Sequence, residues 1–193
     1  MSVVDHSRFL GRLKSNGVTF DVIYDIGSNI GFWATEIQKT FPAANFQCFE
    51  PLIGKNPELD SDARYSKLDN FQLHPVALSN YTGKIPLKVL DNKGVGSSIL
   101  VTESDYRKKG LRIVDVDVVE LDKFVEINGL PKPEFIKLDT QGSELKILEG
   151  AKKNFVLYEM LSLEEGRDAD QTLRWFDAVF VNREFSHFGL TLL

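Results

Sequence analysis

Short apolar runs punctuate this chain, and three of them stop at a glycine or an acid. Asp21-Val22-Ile23-Tyr24-Asp25-Ile26 meets Gly27, Asn45–Phe49 meets Glu50, and Phe135–Leu138 meets Asp139. Runs this short, apolar without strict alternation, read as strands buried on both faces of a parallel sheet. Between the first two, Gly31–Thr40 reads as a helix. Trp33, Ile37 and Phe41 recur at i, i+4 and i+8, and Pro42 stops it. Phe71–Leu78 supplies a third strand, Phe155–Leu161 a fifth and Phe176–Val181 a last one, with His187–Leu193 as a further candidate.

Helices are expected at Val3–Gly17, Leu121–Ile127 and Ser143–Leu148. The first carries Phe9, Leu10 and Leu13 on one face. The second stops at Asn128-Gly129. Lys84–Leu90 and Ile113–Glu120 alternate apolar and charged residues, as antiparallel strands with one wetted face do. The Gly/Ser-rich stretch Asn92–Ser98 reads as the mobile loop between them. Leu52–Asn70 is polar and receives no element. The sum is an α/β fold with a mainly parallel central sheet, helices on both faces and an antiparallel closing strand. The 193 residues are expected to form a single domain, 1–193.

Charge and cysteine count narrow the function. A net charge of −5 with no basic block argues against a nucleic-acid partner. A lone cysteine, Cys48, excludes an intrachain disulfide and a Cys-rich zinc cluster, and points to a reducing, cytoplasmic setting. No apolar run is long enough to span a membrane, and the first 14 residues lack the apolar core of a secretory signal. The sequence carries no signal for oligomeric state.

In parallel sheets, ligands sit beyond the carboxyl ends of the strands, where strand order reverses. After the first strand comes Asp25-Ile26-Gly27-Ser28-Asn29-Ile30-Gly31-Phe32, a sharp turn leading into a helix whose first N–H groups are unpaired. Glu50-Pro51 ends the second strand, 25 residues after Asp25. An acid there is placed to accept hydrogen bonds from both hydroxyls of a ribose. A dinucleotide site wants G-x-G-x-x-G, but position 29 is Asn and the next glycine is Gly31. The pattern D-x-G-x-N-x-G resembles the S-adenosylmethionine turn of Rossmann-like class I methyltransferases.

Further segments sharpen that likeness. They are His74-Pro75-Val76-Ala77-Leu78-Ser79, Glu120-Leu121-Asp122, Phe135-Ile136-Lys137-Leu138-Asp139-Thr140-Gln141-Gly142-Ser143-Glu144, Leu148-Glu149-Gly150-Ala151, Val156-Leu157-Tyr158-Glu159 and 177–182. Together they resemble the FkbM-type methyltransferases, from Arg8 to Glu184. The resemblance implies transfer of a methyl group from S-adenosylmethionine to a hydroxyl oxygen of a sugar, polysaccharide or natural product. It assigns Asp25, Gly27, Ser28, Asn29, Gly31 and Phe32 to the cofactor turn, Glu50 and Pro51 to the ribose, and Ala77 and Leu78 to the adenine pocket. Asp139 falls beside the transferable methyl.

A hydroxyl nucleophile benefits from a base, because its own pKa leaves it protonated near neutrality. Asp139, Glu144 and Glu159 are the candidates, with His74 behind them. Each has a plainer role open to it: Asp139 as a helix cap or a cofactor ligand, Glu144 as a first-turn carboxylate favoured by the helix dipole. Ser97 and Ser98 are candidates for the acceptor side. No metal is assigned, since nothing in the carboxylate spacing demands one. Two rival functions stay open. A nicotinamide oxidoreductase shares the sheet and the acidic strand end, but the central glycine and a Tyr-x-x-x-Lys pair are missing here. A methyltransferase-like domain that binds without catalysis is the other. The region after Gly150 is short for the family. Either family segments near 151–155 and 163–175 are absent from the numbering, or the fold is complete and small.

Overall fold

The computed structural model describes residues 3–90, 94, 96–152, 155–162 and 177–182. Among the described residues the main sheet holds six strands: β1 (Val22–Ile26), β2 (Asn45–Phe49), β3 (Phe71–His74), β7 (Phe135–Leu138), β8 (Phe155–Ser162) and β9 (Asp177–Asn182). Their order across the sheet is β3-β2-β1-β7-β9-β8. The first four are mutually parallel. The antiparallel strand, β9, lies between β7 and β8, where the sequence reading had it closing the sheet. Three smaller strands, β4 (Ala77–Ser79), β5 (Gly83–Val89) and β6 (Arg112–Glu120), form a second sheet in the order β4-β6-β5.

Alternate side chains of the buried strands feed two cores. Ile23, Phe46, Cys48 and Phe135 pack under α1 (Val3–Ser15) and α2 (Phe32–Gln38) through Leu10, Leu13, Trp33 and Ile37. Tyr24, Phe49, Ile136 and Leu138 face the other way, toward Leu121 of α5 (Leu121–Asn128) and Ile147 of α6 (Glu144–Glu149). Helices on both faces follow from strands that are buried on both faces. The expected stop of α5 is present. Gly129 takes φ 60°, and Leu130 N–H closes the helix end on Val125 O at 3.0 Å.

Three differences from the sequence reading have clear causes. Phe71–Leu78 is not one strand. Pro75 has no N–H to continue the ladder, so β3 ends at His74 and the chain leaves for the second sheet. There β4 pairs parallel to β6. The unassigned stretch 52–70 holds α3 (Pro57–Asp62) and a 3-10 turn (Tyr65–Lys67), whose polar surfaces hid their few anchors, Leu59 and Tyr65. A third short helix, α4 (Glu103–Arg107), was missed. It is set by a capping box in which Thr102 and Asp105 exchange bonds. Asp105 also takes Lys88 of β5 at 3.5 Å and Lys108 at 3.1 Å, and the Thr102 N–H first, then the Lys108 ammonium, hold its carboxyl well below the usual range. The stretches at 153–154 and 163–176, and the candidate strand His187–Leu193, lie outside the described residues.

Candidate active site

The reversal of strand order falls between β1 and β7, and the loops that follow them meet there. Gly27 has φ 75°, and a Cβ on it would stand 2.0 Å from the Asp139 carbonyl oxygen. Only glycine permits both the turn and that approach. Gly31, at φ 76°, starts α2, with the Tyr65 ring against the place a side chain would occupy. The Tyr65 hydroxyl bonds Ser28 Oγ at 2.7 Å and donates to Asn29 O. Tyr65 therefore buttresses the turn from behind, a role hidden in a stretch with no readable period.

A cleft of about 220 Å³ opens at this point. One wall is the strand ends: Ile26, Gly27 and Asn29 after β1, Phe49, Glu50 and Pro51 after β2, and Asp139, Thr140, Gln141 and Ser143 after β7. The other wall comes from the second sheet and the segment leading to it: Val76, Ala77, Leu78, Leu87, Gly94, Gly96, Ser97, Ser98 and Ile99. Of the sequence candidates, Gly27, Asn29, Glu50, Pro51, Ala77, Leu78 and Asp139 converge on this cleft. So do Ser97 and Ser98.

Glu50 is buried. Its two oxygens accept Asn29 N–H at 3.0 Å and Leu52 N–H at 2.9 Å. Burial still dominates and pushes its pKa up to about 7. Asp139 keeps 37% of its side chain exposed. Gln141 Nε2 donates to its Oδ1 at 2.9 Å, and Lys137 Nζ lies 3.5 Å from its Oδ2.

Other candidates stand elsewhere. Asp25 is fully buried behind the turn, opposite Lys137 in the β1–β7 register, and does not line the cleft. Burial raises its pKa and the Lys137 ammonium, 3.0 Å away, lowers it. Ser28 is buried against Tyr65, and Gly31 lies beneath the same ring. Phe32 points away from the cleft, 39% exposed under the Arg64 guanidinium. Glu144 is buried and held by three donors: it accepts Thr140 N–H at 2.8 Å, Thr140 Oγ1–H at 3.0 Å and Gly142 N–H at 2.9 Å. It therefore fixes the loop after β7 and has no face on the cleft. Glu159 pairs through its backbone with Val179, and its side chain lies outside the described residues. His74 is buried against Gln47 Oε1 at 2.7 Å, and burial lowers its pKa.

The sequence reading passed over Lys137 and Gln141 as individual residues. Both lie inside the run quoted for its likeness, and cation–carboxylate register across β1 and β7 was the available signal. Among the described residues, no group of His, Cys, Asp and Glu is arranged to hold a metal. No helix among them is long and apolar enough to cross a membrane.

A glycine turn, an acid ending the second strand and an acid ending the strand beyond the switch point thus share one cleft. The family model described as the methyltransferase FkbM domain matches residues 25–187, which spans this arrangement. The chain belongs to the FkbM methyltransferase family. Its curated relatives include methyltransferase sdnD of Sordaria araneosa, 27% identical over 76% of this chain and 64% of that protein. Hexuronic acid methyltransferase AglP of Haloferax volcanii is 28% identical over 79% of this chain and 61% of that protein. The 2-O-methyltransferase NoeI of Sinorhizobium fredii is 28% identical over 68% and 58% respectively. The chain spans about three fifths of the length of these relatives.

Proposed function

We propose that this FkbM domain binds S-adenosylmethionine in the cleft and directs its methyl group to a hydroxyl oxygen of a saccharide or natural-product acceptor. The observation that carries the reading is the convergence of Glu50 and Asp139 on one cleft at the switch point. The residues present suit the cofactor. Glu50 spends one lone pair of each oxygen on backbone N–H groups, which leaves acceptor capacity for ribose hydroxyls. Val76, Ala77, Leu78 and Ile99 offer the adenine an apolar slot, and Ser97 Oγ has no partner among the described residues.

The cofactor, when bound, supplies a methyl group already activated on a sulfonium. The chain supplies position and charge. Glu50 orients the ribose, and Asn29, drawn to Glu50 through its N–H, shapes the turn beside it. Asp139 holds a carboxylate in the cleft where the acceptor hydroxyl must lie, and takes its proton as the new C–O bond forms. Asp25 acts through Lys137, whose ammonium also binds Gly27 O at 3.1 Å, and so holds the turn in place. Glu144 keeps the β7 loop in shape. We take Glu159 as a remaining carboxylate candidate from β8, and place the reaction in a cytoplasmic, reducing setting.

Saccharide acceptors are the first to try, because AglP is named for a hexuronic acid. Calorimetry with S-adenosylhomocysteine should show 1:1 binding. Labelled methyl transfer onto panels of uronic acids, neutral sugars and polyketides should then find the acceptor. Binding of NAD with no affinity for S-adenosylhomocysteine would overturn the reading in favour of an oxidoreductase. Tight cofactor binding with no transfer to any hydroxyl would favour a binding domain.

A further inference from the structure

Two residues other than glycine have positive φ among the described residues, Asn29 at 48° and Gln141 at 58°. Both line the cleft, one after β1 and one after β7. A left-handed backbone is costly for a side chain as long as that of Gln, and strain of this kind collects where a side chain is needed. Asn29 belongs to the turn already described. For Gln141 the need is visible in its contacts. Its side-chain Nε2 donates to Asp139 Oδ1 at 2.9 Å, and its backbone carbonyl accepts Ser98 Oγ–H at 2.8 Å. Ser98 in turn is fixed to β5 by two backbone bonds with Lys88, at 3.0 and 3.1 Å, and its Oγ accepts Leu100 N–H at 3.1 Å. One residue thus joins the cleft carboxylate to the wall contributed by the second sheet.

We infer that Gln141 is a positioning residue: its amide sets the direction of the Asp139 carboxylate, and its carbonyl anchors the Ser98 segment across the cleft. The inference rests on the methyl-transfer reading for its functional consequence, but the contact itself does not. Lys137 Nζ stands 3.5 Å from the other oxygen of Asp139 as an ion pair, so the carboxylate has a hydrogen-bond donor on one oxygen and a cation near the other. A base fixed in this way meets the acceptor hydroxyl without a search over rotamers.

Glycine is the informative substitution, because it relieves the backbone and retains the carbonyl. Gln141→Gly should be at least as stable to heat as the wild type and should bind S-adenosylhomocysteine within about threefold of it. It should nevertheless transfer methyl groups about tenfold or more slowly at saturating acceptor. Gln141→Asn, which tolerates the same backbone but reaches less far, should fall between. A purely structural Gln141 predicts the opposite, a glycine variant with full turnover, and that result overturns the inference. A second measurement needs no acceptor. In the nitrogen–proton NMR spectrum, one Gln141 side-chain amide proton should be shifted downfield and slow to exchange, and should lose both signatures in Asp139→Ala. An amide at the free position in the wild type overturns the inference equally. Absence of S-adenosylhomocysteine binding to the wild-type protein would instead count against the proposed function, and would leave the amide signature unchanged.

Discussion

Lys137 and Asp25 face each other across the β1–β7 register with 3.0 Å between ammonium and carboxylate, and both are buried. Neither touches the cleft, yet Lys137 holds Gly27 O and stands near Asp139. Lys137→Met strands the Asp25 charge in the core. It should cost about 3–5 kcal/mol in urea unfolding, the usual penalty for breaking a buried pair from one side. Pairing it with Asp25→Leu should recover much of that stability without restoring cofactor affinity, which calorimetry would show.

Glu50 carries the pH dependence. Its folded pKa, about 7, lies above the ordinary 4.5. The folded state therefore keeps a proton that the unfolded chain gives up. This group lowers the stability of the ligand-free protein as pH rises from about 4.5 to 7, on the order of 2–3 kcal/mol in all. Ribose hydroxyls need the ionised form. Affinity for S-adenosylhomocysteine should fall as pH drops below 7, approaching tenfold per unit, and should be weak and flat with pH in Glu50→Gln.

Gly27→Ala places a Cβ 2.0 Å from the Asp139 carbonyl on a left-handed backbone. A loss of roughly 2–4 kcal/mol is expected. Thermal unfolding would measure it, and cofactor binding should vanish with it.

Asp139 and Glu144 should separate cleanly. Asp139→Asn keeps the fold and most of the cofactor affinity, but slows transfer by about 100-fold or more if the carboxylate is the base. Glu144→Gln leaves one of its three donors without an acceptor. Its effect should appear first as a lower melting temperature.

Tyr65→Phe removes the hydroxyl that holds Ser28 and Asn29. A stability loss of roughly 1–2 kcal/mol is expected, together with a several-fold loss of S-adenosylhomocysteine affinity as the turn loosens.

The strands buried on both faces were legible to the residue: Asn45–Phe49 and Phe135–Leu138 are found as read. Burial on both faces leaves no freedom in such a segment. The position of Glu50 and Asp139 at the cleft was legible as well, since topology dictates where these strand ends lie. Asp25 stands off the cleft because a strand end also has a face, and parity pairs Asp25 with Lys137 in the core. Glu144 stands off it too, since a carboxylate inside a tight loop reads like one beside a cleft until its donors are known. Tyr65 and α3 were hidden by polar surroundings, and the break at Pro75 by the apolar residues that follow it.

Pro75 marks more than the end of a strand. The chain steps off the main sheet there, builds β4, β5 and β6, and returns at Leu121, with Ser79 and Glu120 paired side by side at the two joints. That unit supplies most of the second wall of the cleft, and the strand ends supply the first. The two walls of the cleft thus come from separable pieces of chain. A graft of the 77–120 unit from a relative would exchange that second wall while Gly27, Glu50 and Asp139 stay where they are, so one side of the cleft can be reshaped without rebuilding the other.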